Sequence, residues 1–188
     1  FGAEVLLCGN FHVNEALARA KELGRQPHHY CPRQFESEWN VEENRQVLGP
    51  ELLAQLPAGR MPDALVLGVG TGGTLIGVGQ AFRAVNPNGR LFAMEPSESC
   101  TILCGEIAAH TIEGISDGFV PGIFQRHAGL VNEVLSVSST DAVAEMKRLA
   151  RTYGLFCGPS SGAHLLAAKR IRQNFPELKT VVQVFCDQ

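Results

Sequence analysis

The sequence has little charge, and none of it is concentrated. Only 19% of its 188 residues are charged and the net charge is −3, so nothing in it attracts a polyanion. Neither nucleic acid nor an anionic membrane surface is an expected partner. Long apolar runs are also missing: "ALVLGVG" and "TVVQVFC" are far too short to cross a bilayer. The first residues lack the basic-then-apolar plan of a secretory signal, and the cytoplasm is the expected location. Metal-ligand spacing is scarce as well. Of the cysteines at positions 8, 31, 100, 104, 157 and 186, only Cys100 and Cys104 lie close together, with no second pair nearby. No metal is expected, and the thiols read as buried and free in a reducing compartment. Repeats, low-complexity tracts and linkers are absent too. The length suits one domain with a substantial core.

What is present is an alternation of strand and helix patterns. "AEVLLC" (3–8) reads as a strand and "VNEALARAKELG" (13–24) as an amphipathic helix with Ala16, Leu17, Ala20 and Leu23 on one face. "PHHYC" reads as a short strand. Residues 41–56 read as a helix that Gly49-Pro50 kinks or splits. "DALVLGVG" (63–70) has the near-continuous apolar character of a parallel strand buried on both faces. A helix to about Val85, a strand at 90–95, Gly/Ser/Pro-rich loops from Pro96 to Gly129 and a strand at 132–137 follow. Then come a Ser/Thr-capped helix ending at Gly154, a strand "LFC" running into "GPSSG", the helix "AHLLAAKRIRQNF" and a last strand "LKTVVQVFC". This order predicts an α/β fold: a doubly wound, mainly parallel sheet with helices on both faces.

The chemistry concentrates where the central strand breaks into glycines. Gly68, Gly70, Thr71, Gly72, Gly73 and Thr74 form a strand-to-helix turn whose backbone N–H groups and helix dipole suit a phosphate. Gly68, Gly70 and Gly73 also satisfy the G-x-G-x-x-G dinucleotide pattern, and Glu95 ends the next strand about where an acid would hold a ribose hydroxyl. An NAD-dependent oxidoreductase is therefore one reading. Against it, the turn falls mid-chain, and hydroxyls beside it suit a terminal phosphate monoester. "GPSSGAHLLAA" (158–168) supplies a second strand-to-helix turn at the same sheet edge, bringing Ser160 and Ser161 near the first.

Taken in order, "RQFESEWN", "GVGTGGTLIGVGQAF", "HTIEGISDGFVPGIF" and "VSSTDAVAEMKRLARTYGLFCGPSSGAHLLAA" resemble the cysteine synthase and cystathionine β-synthase family. The resemblance covers nearly the whole chain. It implies pyridoxal 5′-phosphate as cofactor and the tryptophan synthase β-like fold, type II. It implies that Gly70, Thr71, Gly72, Gly73 and Thr74 hold the cofactor phosphate and that Ser160 hydrogen-bonds the pyridine nitrogen. A neutral hydroxyl there suits β-elimination and replacement. Gln34 resembles the family glutamine facing the substrate carboxylate, and Gly114, Ser116 and Asp117 fall on the substrate side of the site. Residues 1–40 would end the smaller substrate-side domain and its crossover, and 41–188 would form the larger cofactor-phosphate domain.

Two departures qualify that resemblance. The family's Schiff-base lysine stands in a serine-x-lysine context towards the N-terminus, and no such stretch occurs here. Lys21, Lys147, Lys169 and Lys179 read as surface charges. The abrupt start and end of the pattern suggest a fragment, and the resemblance implies that about the first third of the enzyme is absent, so this chain alone is expected to be inactive. Second, Gly114-Ile115-Ser116-Asp117-Gly118 replaces the common G-I-G-A-G, which puts sulfide as the acceptor in question. His110 reads as a satisfied loop histidine. The expected function is β-replacement or β-elimination on an activated serine or cysteine, most like cysteine synthase, with an amino-acid substrate and a homodimeric state. A non-catalytic binding or interaction module is the remaining alternative.

Overall fold

The computed structural model describes residues 1–9 and 13–186. Four parallel strands form the centre: β1 (Ala64–Gly68), β2 (Arg90–Pro96), β3 (Glu133–Val137) and β4 (Val181–Val182), in the spatial order β3-β2-β1-β4. Because successive side chains of a strand point to opposite faces, β1 feeds two cores. Ala64 and Val66 pack with Ala142, Ala163, Ala167 and Ile171. Leu65 and Leu67 pack with Leu75, Val78 and Phe82. The helices involved are α6 (Ser139–Tyr153) and α7 (Pro159–Asn174) on the first face and α4 (Gly73–Val85) on the second. The doubly wound expectation is met.

Helix boundaries follow local chemistry. Ser138 caps α6 by accepting the Asp141 N–H at 3.1 Å, and Gly154 closes it at φ 67°. α1 (Asn14–Leu23) matches its expected span. The helix around Gly49-Pro50 is not split: α2 (Glu38–Glu43) runs through a π-helical segment, Asn44–Leu48, into α3 (Gly49–Gln55). The Gly49 N–H reaches back to Asn44 O, so the widened turn arrives just before the proline that has no N–H to give.

Several expected strands do not form. Residues 3–8 and 27–31 join no ladder, and Val5, Leu6 and Leu7 are exposed. An apolar run without a neighbouring strand has no partner for its backbone groups. Residues 155–158 likewise stay outside the sheet, where the Gly158 N–H donates to Cys186 O at 3.1 Å and the Leu155 N–H to Leu149 O at 3.4 Å. In the last strand only Val181 and Val182 pair with β1. Side chains of α7 hold the residues beyond. α7 itself begins at Pro159, which suits a first-turn position, so Ser160 and Ser161 lie in the helix rather than before it. The loop region from Pro96 to Gly129 contains the short helix α5 (Gly122–His127). Cys100 and Cys104 are joined as a disulfide across an α-turn, with Cα atoms 5.3 Å apart, and Cys8, Cys31 and Cys157 are half-buried. This corrects the expectation of free thiols for Cys100 and Cys104, while Cys8, Cys31 and Cys157 stay unbridged as expected but are only half-buried.

α6 and α7 are packed backbone to backbone. A Cβ on Gly162 would collide with Ala142 O and stand 2.9 Å from Met146 N. Gly162→Ala is expected to cost about 1–3 kcal/mol, read from the urea midpoint, and an unchanged midpoint would contradict this packing. Glu145 bridges the same pair. Its carboxylate accepts from Arg148 at 2.8 Å and from Lys169 at 2.5 Å, and these cations, Arg148 first, hold its pKa at about 2. Its folded pKa lies below the unfolded value of about 4.3, so the contribution is complete above pH ~4.3 and is lost as pH falls towards 2. Between those limits the parent protein should lose stability more steeply than Glu145→Gln in acid-denaturation curves.

Candidate active site

The turn after β1 is shaped by convergence of three backbones. Val69 extends the pairing by donating its N–H to Met94 O at 3.0 Å, and Ser116 N–H returns to Val69 O at 3.0 Å. Segment 114–118 is thereby laid across the end of β1. Gly70 faces Gly114 so closely that a Cβ would come within 2.5 Å of Gly114 O. Gly72 takes φ 85°, a conformation that a side chain would strain, and starts α4.

A cavity of about 320 Å³ opens at this carboxyl edge, lined in part by Gly70, Thr71, Gly72, Thr74, Gly114 and Ser160. It lies beside β1, where the strand order turns from β2 on one side to β4 on the other. Such switch points are where open α/β sheets bind ligands. Leu75 and Thr74 also stand on its wall. The first intrahelical bond of α4 runs from Ile76 N–H to Gly72 O at 3.0 Å, which leaves the preceding N–H groups outside the helical ladder. Those groups and the helix dipole favour an anion.

Two residues absent from the expected set organise the cavity. Asn40 donates to Thr71 Oγ1 at 2.9 Å, and Gly73 N–H donates to the same oxygen at 3.2 Å. With two donors on its lone pairs, the Thr71 hydroxyl has its proton left to offer a ligand. His164 is buried on the wall formed by α7. Its Nε2 accepts the Gly68 N–H at 2.7 Å, which requires Nδ1 to carry the proton that it donates to Val184 O at 2.8 Å. Ser161 makes a parallel tie, accepting from Cys186 N at 2.6 Å and donating to Cys186 O at 3.0 Å. Side chains of α7 thus hold residues 184–186 against β1.

The remaining expected residues divide. Gly73 begins α4, where a Cβ would run into the Asn40 amide. Gln34 and Asp117 line a second, adjoining cavity of about 490 Å³ that shares Gly70, Thr71 and Gly114 with the first. Ser116 lies outside both. Its φ is 55°, and its hydroxyl, buried, bonds to Ser99 O at 2.9 Å. None of the four lysines lines either cavity. Glu95 is 1% exposed, and its oxygens accept the N–H groups of Ile102 at 2.8 Å and Leu103 at 2.9 Å. Burial raises its pKa, with the two N–H groups opposing the shift. Because Glu95 is enclosed and committed to segment 102–103, it offers no ribose contact, which removes the acid on which the dinucleotide reading relied.

A glycine turn with open N–H groups and a buried serine meet at the switch point of a doubly wound α/β sheet, an arrangement suited to a phosphate-bearing cofactor. The chain belongs to the pyridoxal-phosphate dependent enzyme family, whose model matches residues 1–187. It is 36% identical over 185 residues to a cysteine synthase of Staphylococcus aureus, covering 98% of this chain and 59% of that protein. Among solved structures, it is similar to a hydrogen sulfide-producing enzyme of Fusobacterium nucleatum, with a TM-score of 0.87, 31% identity and coverage of 100% of this chain and 57% of the other. The O-acetylserine dependent cystathionine β-synthase of Helicobacter pylori gives a TM-score of 0.83 at 32% identity, covering 93% of this chain and 56% of its own. The chain therefore spans a little under 60% of the curated relative's length. Neither the oxidoreductase nor the interaction-module alternative finds support in these relatives.

His164 supplies the clearest test of the site's architecture. His164→Phe orphans the Gly68 N–H and the Val184 carbonyl and should cost about 1–3 kcal/mol for each group left unpaired. Chemical denaturation of the variant reads this loss, and parent-like stability would show that the two bonds carry no weight.

Proposed function

We propose that the protein catalyses pyridoxal-phosphate dependent β-replacement or β-elimination on an activated serine or cysteine, most like a cysteine synthase. The observation that carries this reading is one cavity shared by the Gly70–Thr74 turn, Ser160 and Gly114. The residues present fit the cofactor: N–H groups ahead of the first α4 bond and the Thr71 hydroxyl suit its phosphate, and a buried serine suits its ring nitrogen. When bound, the cofactor supplies the electron sink for loss of the substrate's Cα proton and β substituent.

On this reading Gly70, Thr71, Gly72, Gly73 and Thr74 hold the phosphate. Ser160 positions the ring and leaves its nitrogen without a carboxylate partner. Gln34 and Asp117, in the adjoining cavity, meet the amino-acid substrate, while Ser116 shapes the loop between them from behind. Residues 1–40 form the substrate-side part and 41–188 the cofactor-phosphate part. The proton-moving lysine comes from outside these 188 residues, since none of the four present lines the cavity. Similarity to the family also favours a cytoplasmic homodimer.

Titration of the full-length protein with pyridoxal phosphate, followed by absorbance, should saturate, while NAD should show no saturable binding. Thr71→Val and Ser160→Ala should each weaken cofactor retention by up to about tenfold, the worth of one hydrogen bond. Tighter retention of NAD, or cofactor binding untouched by both substitutions, would overturn the reading.

A further inference from the structure

A third concavity lies away from the glycine turn, between α6 and the segment that leads into residues 114–118. Its volume is about 840 Å³, and its walls include Glu98, His110, Thr111, Thr140, Lys147 and Arg151. We propose that this groove binds a small zwitterion of the α-amino acid class and acts as an effector site. The inference does not rest on the cofactor reading.

Charge arrangement carries the argument. Lys147 and Arg151 stand one helical turn apart on the exposed face of α6, and neither has an ion pair among the described residues. Like charges at this spacing repel and disfavour the helix. Arg148, between them in sequence, is committed to Glu145. Glu98 supplies the opposite sign in the same groove. One of its oxygens accepts the Ser139 N–H at 2.8 Å, which fixes the carboxylate at the start of α6 and leaves it further acceptor capacity. A ligand carboxylate answers the two cations, and a ligand ammonium answers Glu98. A dianion would meet Glu98 unfavourably, and a simple cation would meet Lys147 and Arg151.

His110 links the groove to the candidate active site. Its Nε2 bonds to Ser116 O at 3.1 Å, while its Nδ1 is enclosed and has no partner among the described residues. This corrects the expectation of a fully satisfied loop histidine. The ring is tied on the Ser116 side alone, so displacement of segment 109–111 by a ligand passes to Ser116, whose neighbours Gly114 and Asp117 line the substrate-side cavity.

N,N-Dimethylglycine is the discriminating probe. As a tertiary amine it cannot condense with the cofactor aldehyde, yet it keeps the opposed charges. Calorimetry on the full-length holoenzyme should show saturable binding, weakened about tenfold in Lys147→Ala/Arg151→Ala and weakened likewise in Glu98→Gln. Hydrogen exchange at 114–118 should change on binding in the parent and not in the double variant, whose substitutions are exposed and favour helix. No saturable binding, binding indifferent to the double variant, or equal competition by inorganic phosphate would each overturn the proposal.

Discussion

The close approach of main chain to main chain at the end of β1 governs the rest of the site. Gly70 and Gly114 meet there without side chains between them, and this lets segment 114–118 lie directly over the strand end, while the bare Gly68 leaves room for the Ile115 and His164 side chains. The cavity exists because that space was left to backbone. Its polar groups are consequently fixed by the fold itself: peptide N–H groups at the start of α4, and a serine in the first turn of α7. Preorganised donors of this kind need no rearrangement when an anion arrives.

Rigid support comes from the two faces of the sheet in different ways. On one face, α6 and α7 interlock through Gly162 and share the Glu145 ion cluster, which sets the axis of α7 and so the position of Ser160. On the other, Asn40 reaches from α2 to Thr71 and orients a hydroxyl that would otherwise rotate. His164 then joins β1 to residues beyond β4, where the two-residue ladder alone would hold little.

The sequence exposes these layers unequally. Alternating strands and helices, the Ser138 cap, the Gly154 stop and the two turns at 68–74 and 158–161 are legible because their signals are local: apolar period, capping chemistry and glycine at a turn. Residues 3–8, 155–158 and 183–186 read as strands for the same local reason, yet a strand also needs a neighbour, and no local pattern states where one lies. Asn40 and His164 were hidden for a related cause. Their partners are 31 and 96 residues away, so neither looks different in sequence from a surface amide or a helical histidine. Ser116 shows the converse: its sequence position beside Asp117 suggested a shared role, but its φ of 55° turns the hydroxyl to the back of the loop.

The glycine face of α4 has a mechanical consequence. A side chain at Gly77 would strike Val41 O and stand 2.9 Å from Arg45 N, so α4 meets α2 and the π-helical segment backbone to backbone there, while Gly73 abuts the Asn40 amide and Gly49 the Ala81 methyl. The contact at Gly77 has no side-chain slack to absorb a small displacement. Through that contact and the Asn40–Thr71 bond, the segment carrying Gln34 and the turn carrying Thr71 are geared together: a tilt of residues 34–40 is passed to α4 as to a rigid lever, with its fulcrum at the glycine turn.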